Sequence, residues 1–177
     1  MTIAAEVLEL VRQRAGCACE YCGVSETDAG GQLTIDHFQP QAHEGSDDPD
    51  NLLYCCFRCN LYKVDYWPAG PDDPLLWNPR REPFATHFVA LADGTLYPIT
   101  PTGEFTLRRL RLNRPPLVGH RRRRQAQAEE LRLLKRYDEL LDLLERLHQQ
   151  QITLLEEHHT LLEEHRTLLA LMRKDRP

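Results

Sequence analysis

Six cysteines fall in two tight groups, Cys17, Cys19 and Cys22 in one and Cys55, Cys56 and Cys59 in the other. Within them lie two Cys-x-x-Cys pairs, Cys19-Glu20-Tyr21-Cys22 and Cys56-Phe57-Arg58-Cys59. Each pair offers two thiolates on one short turn. Four thiolates complete a tetrahedral zinc at about 2.3 Å each and leave no coordination position open, so such a site holds structure together. Cys17 and Cys55 lie close enough to exchange places with a ligand, but read more simply as small buried apolar residues. Between and after the pairs come polar residues of a different kind: Asp36-His37, Asn51, and then Asn60 and Lys63. A histidine can take a proton from water near neutral pH. The Asp36 carboxylate and the Asn60 amide supply hard oxygen ligands, the kind that Mg2+ or Mn2+ prefers. Arg58 and Lys63 are positioned in sequence to meet phosphate oxygens.

Taken in order, Cys-x-x-Cys, Asp36-His37-Phe38-Gln39-Pro40, Asn51-Leu52, Cys-x-x-Cys-Asn60 and Lys63 resemble the zinc-bearing HNH endonucleases, whose fold is named ββα-metal. The motifs cover about residues 17–63. The resemblance implies DNA phosphodiester hydrolysis that leaves 5′-phosphate and 3′-hydroxyl ends. It also implies His37 as general base, Asp36 and Asn60 as ligands of a catalytic Mg2+ or Mn2+, and Asn51 as a residue that braces the loop and orients the histidine. The third motif position departs from the prototype: it is Asn60, where the prototype has histidine. Many active members resemble this chain in carrying asparagine there.

The formal net charge is -5, yet its distribution is uneven. From Phe105 to Arg124 there are eight arginines and no acid: Arg108, Arg109, Arg111, Arg114, Arg121, Arg122, Arg123 and Arg124. Such a stretch suits the DNA backbone, where each neutralised phosphate adds salt-dependent affinity but little sequence readout. The acids gather instead around Asp47, Asp48 and Asp50 and in the C-terminal segment.

The elements that must position these residues can be read more coarsely. The overall expectation is an α+β protein. An amphipathic helix is expected over 3–14, a short strand over Gln32–Phe38, and a helix after Asn51. Two strand-like runs flank Asp93-Gly94, a hairpin signal. A basic helix is expected from about Thr106 to Asn113, stopped by Pro115-Pro116. From Val118 onward leucines recur every seven residues, at Leu133, Leu140, Leu147, Leu154, Leu161 and Leu168, with a second column at Leu134, Leu141, His148, Leu155, Leu162 and Leu169. A third column, Tyr137, Leu144, Gln151, His158, His165 and Met172, is apolar at both ends and polar in the middle. This pattern predicts one long helix, or a helical hairpin, with a coiled-coil type face.

The expected organisation is therefore a zinc-stabilised nuclease domain at 1–84, an accessory β-hairpin and basic helix at 85–117, and a helical segment at 118–177. That last segment is read as a homodimer or higher oligomer interface, or as a dock for a protein partner. Two rivals remain: a nuclease effector subunit of a larger complex, as in phage defence, and a zinc-stabilised DNA-binding module with a decayed active site. No apolar run approaches the ~20 residues of a membrane span. The N-terminus has no signal-peptide pattern, so a cytoplasmic protein is expected.

Overall fold

The computed structural model describes residues 3–174. The chain divides into two compact units, Met1–Ala126 and Gln127–Pro177.

In the first unit, helix α1 (Ala5–Arg14) buries Val11 in a cluster with Leu52 and Tyr54, against which Val7 and the flanking Ile3 and Ala15 also pack. Strands β1 (Thr34–His37) and β2 (Leu52–Cys55) pair antiparallel, with Thr34 opposite Cys55 and His37 opposite Leu52. All four residues of β2 are buried, because each face of the hairpin is covered. Leu52 and Tyr54 join the α1 cluster, whereas Leu53 and Cys55 join the main core. This is the period-two alternation of a strand. It carries over to β1, so Asp36 lies on the face of Leu53 and His37 on the face of Leu52.

Helix α2 (Glu26–Ala29) is a single turn closed by a capping box between Ser25 and Asp28. Helix α3 (Phe57–Lys63) follows β2 directly and completes the ββα unit. Trp77 anchors the proline-rich stretch between α3 and the next helix, α4 (Phe84–His87). It is buried, stacks edge-on against Tyr21 and Phe88, and donates from Nε1 to the Glu82 carbonyl. Strands β3 (Phe88–Ala90) and β4 (Leu96–Pro98) form the second hairpin, as the Asp93-Gly94 signal predicts. Gly94 has φ +82, and a Cβ there would lie 2.6 Å from the Val118 carbonyl oxygen, so only glycine lets this turn approach the helix beside it.

Two sequence expectations shift. The basic helix begins earlier, as α5 (Pro101–Arg109), because the Thr100 hydroxyl accepts from Gly103 N at 3.0 Å and Pro101 takes the first helical position. It ends at Leu110, since Arg111 adopts a left-handed φ of +50. Pro115 does not stop a helix; it starts one, α6 (Pro115–Lys174), at a position whose missing N–H costs no hydrogen bond. The hairpin and basic helix expected as an accessory element also share the main core with the cysteine region, since Phe88, Leu96, Leu110, Leu112 and Leu117 pack in one cluster with Cys19, Tyr21 and Leu53.

The second unit contains the rest of α6. Fourteen of its leucines, together with Tyr137, are exposed within the single chain. Met172, the last member of the third column, lies outside the residues whose side chains are described.

Candidate functional site

The Cys-x-x-Cys knuckle closes on its own backbone. Gly23 N donates to the Cys19 carbonyl at 2.8 Å, and Cys19 N donates to the Val24 carbonyl at 2.9 Å. Gly23 allows the turn by taking φ +74. Glu20 fixes the knuckle to the hairpin, accepting from Tyr54 N at 2.7 Å and pairing with Arg80 at 2.7 Å. The second pair sits at the start of α3. Together the four sulfurs of Cys19, Cys22, Cys56 and Cys59 lie within 4.8 Å of one another. A tetrahedron with ~2.3 Å metal–sulfur bonds has edges of about 3.8 Å. The Cys22 and Cys56 sulfurs are 3.7 Å apart, so this edge already has the zinc dimension.

Neighbouring thiols, Cys22 first, push Cys19 below the usual thiol range, and its proximity in turn pushes Cys59 above it. Arg114 lies beside the cluster, with Nη2 at 3.9 Å from Cys56 Sγ and 3.7 Å from Cys59 Sγ. Burial disfavours its charge, but the neighbouring thiolates more than compensate and its pKa is raised. Cys55 is buried outside the four-sulfur cluster and Cys17 is half-buried.

His37 is the last residue of β1, and its Nε2 meets Asp47 Oδ1 at 2.7 Å. The hydrogen bond to His37 is the main cause that holds the Asp47 carboxyl below its ordinary pKa. Gln41 Nε2 donates to the same oxygen at 3.0 Å. Asn51 fastens the loop that carries Asp47. Its Oδ1 accepts from Gln39 N at 2.8 Å, while Nδ2 donates to the carbonyls of Gln39 at 3.0 Å and Ser46 at 2.8 Å. Gly45 is required in this loop, since a Cβ there would lie 1.8 Å from the Gln39 carbonyl oxygen. Asp47 was not identified from sequence. It sits among Asp48 and Asp50, and nothing in the spacing says which acid turns toward the histidine.

On the opposite face of β1, Asp36 meets α3. Its Oδ1 accepts from Lys63 Nζ at 3.3 Å, and the same ammonium donates to the His37 carbonyl at 2.6 Å. Asp36 Oδ2 is buried and has no hydrogen-bond partner, although the Lys63 nitrogen lies 3.2 Å away. Burial raises the Asp36 pKa, and Lys63 opposes that rise. Asn60 lies one turn earlier on α3, with Nδ2 at 3.5 Å from Thr34 Oγ1. Thr34 and Asp36 share a strand face, as do Asn60 and Lys63 on the helix, so the structure brings Asp36 and Asn60 to one β1–α3 seam.

The expectation that Lys63 meets phosphate is corrected: its side chain is fully buried and both neighbours of its ammonium are internal. Two of the arginines expected on DNA are also engaged within the fold. Arg109 donates to the Lys63 carbonyl at 3.0 Å and stacks over Tyr66 at 4.5 Å. Arg121 donates to the carbonyls of Gly94 at 2.6 Å and Leu112 at 2.8 Å. Arg111 is exposed and covers the Tyr62 ring at 4.9 Å. Arg58, Arg108, Arg122, Arg123 and Arg124 are exposed.

Residues 19–65 match the family model described as HNH endonuclease. No curated protein and no solved structure matches the chain. The matched segment runs from the first zinc-type cysteine to just past Lys63, so it contains the ββα unit, all four clustered cysteines, Asp36, His37, Asn51 and Asn60. The chain therefore carries an HNH domain of the four-cysteine type within an α+β fold. Among the described residues, no helix is long and apolar enough to cross a membrane.

Proposed function

We propose that the protein is a metal-dependent endonuclease that hydrolyses DNA phosphodiester bonds at the end of β1. The observation that carries this reading is the His37–Asp47 pair, held on an Asn51-fastened loop inside the matched segment. An ionised carboxylate can only accept a hydrogen bond, so Nε2 donates to Asp47 and Nδ1 is the ring nitrogen left to take a proton from water. His37 is then a preset base for a water molecule, and Asp47 holds the ring in that tautomer.

The Asp36–Asn60 seam suits Mg2+ or Mn2+. It joins a carboxylate to an amide, and Asp36 has a buried oxygen without a hydrogen-bond partner. When bound, such an ion supplies charge neutralisation at the leaving 3′ oxygen. Burial raises the Asp36 pKa, and Lys63 beside it opposes that rise. The four cysteines hold a structural zinc, and Arg114 offsets the surplus negative charge of four thiolates. Exposed Arg58, Arg108 and Arg122–Arg124 are the side chains best placed to meet phosphates. The exposed leucine columns of the second unit support self-association through the C-terminal helix.

The test is plasmid cleavage by the full chain with Mg2+ or Mn2+ titrated in. Asn60→Ala, and Asp36→Ala at a temperature where zinc content and circular dichroism show it folded despite the broken Lys63 pair, should raise the metal concentration needed about tenfold or more, or abolish cleavage, while DNA binding is kept. Wild-type protein with full zinc content that leaves the plasmid intact at all metal concentrations would overturn the reading.

A further inference from the structure

A groove of about 690 Å3 lies between the first turn of α3 and the start of α6. Phe57 and Arg58 line it from α3, and His120 and Arg123 line it from α6. Phe57 is 64% exposed, unlike Tyr21, Trp77 and Phe88, which are all buried in the same unit. Arg58 and Arg123 are exposed and make no ion pair among the described residues, while Arg114, which also lines the groove, is turned to the thiolates. Asp28 is the acid in the lining, and His120 Nδ1 lies 3.8 Å from its carboxylate. Thr34 lines the groove, and its Oγ1 lies 3.5 Å from the Asn60 amide nitrogen, so the groove passes close to Asn60.

We propose that this groove binds an unpaired nucleic-acid strand, with a base stacked on Phe57 and phosphates on Arg58 and Arg123. An exposed aromatic ring in one groove with exposed guanidinium groups joins the two parts of a single-strand site, a stacking platform and a charged track. A base in the interior of a duplex has both faces covered by its neighbours and cannot lie on the ring. The proposal rests on the nuclease reading only in what it adds to it: the strand that leaves the scissile bond beside Asn60 enters this groove unpaired. The preferred substrates are then junctions, flaps or frayed ends.

The experiment is fluorescence anisotropy on the full chain without added divalent ions, so that binding is read apart from cleavage. The probes are a labelled oligothymidylate of about 12 nucleotides, within the span such sites cover, and a hairpin duplex. Phe57→Ala and Phe57→Leu should each weaken single-strand binding by about 5-fold or more, and Phe57→Trp should retain it, because stacking needs a π-face. Duplex binding should change by less than about 2-fold in the same variants. Arg58→Gln and Arg123→Gln should each reduce the slope of log affinity against log salt by about 0.7. Single-strand affinity unchanged in both Phe57→Ala and Phe57→Leu would overturn the proposal, as would an equal loss on duplex. Cleavage without any Phe57 dependence of binding would leave the nuclease reading standing and remove the groove. Phe57-dependent binding without cleavage would do the reverse.

Discussion

The Lys63 side chain is fully buried, and its amino group is paired with the Asp36 carboxylate at 3.2 Å. Removing one member of a buried pair leaves the other charged and without compensation, at a cost of about 3–5 kcal/mol. Lys63→Met should therefore destabilise the first unit by about 3 kcal/mol or more, read by denaturant unfolding in the presence of zinc. A Lys63→Met/Asp36→Asn double variant should recover part of that loss, and a Lys63→Met midpoint equal to wild type would contradict the pair's role. At this scale the sequence conveyed residue types better than orientations. His37, Asp36 and Asn51 were legible because their order between cysteine pairs is distinctive. Asp47 was not, because its contact crosses a loop whose path depends on Gly45 and Asn51. Lys63 and Arg109 read as surface cations in the sequence because composition does not record burial.

Among the elements, α1 and α2 are tied by Glu26, which pairs with Arg12 through two contacts, at 2.6 and 2.7 Å, and accepts from the Tyr54 hydroxyl. The Arg12 hydrogen bonds, followed by that of Tyr54, hold the Glu26 carboxyl down at about 2 against an ordinary 4.5. A depressed folded pKa contributes stability that is complete above the unfolded value and lost as pH falls through the folded one. Wild-type melting temperature should therefore decline between pH 4.5 and about 2 more steeply than that of Glu26→Gln. Parallel slopes in the two proteins would show that the carboxylate is not coupled to folding. Acid would also protonate the four cysteines proposed to hold zinc, but that loss is common to both proteins and cancels in the comparison. The ββα unit was legible because cysteine pairs bracket an alternating strand. Pro115-Pro116 misled, since proline ends a helix from within but begins one at its first position, and only the chain's path separates the two.

For the whole molecule, the question is what covers the leucines of the second unit. Leu133, Leu140 and Leu154 are 59%, 52% and 63% exposed within the single chain. An apolar stripe of this length does not persist in water without a partner. The full chain should sediment as a dimer or larger at micromolar concentration, and a chain ending after Ala126 as a monomer that keeps its zinc. A monomeric full chain would remove self-association and leave the helix as a dock for another protein. The heptad period was visible in the sequence because leucine repeats without proline or glycine to break it. The division after Ala126 was not, because α6 begins inside the first unit, where Arg121 and Gln125 bond to carbonyls of the second hairpin.

The central claim is that His37 is the base of a DNA-cleaving site, and one rate ratio tests it. Wild type and His37→Ala are compared by initial rate of plasmid nicking in saturating Mg2+ or Mn2+, with zinc content and circular dichroism measured on the same samples. Loss of a general base should lower the rate by about 100-fold or more, with zinc and fold unchanged because His37 lies outside the four-sulfur cluster. A His37→Ala protein that keeps more than about a tenth of the wild-type rate would contradict the assignment.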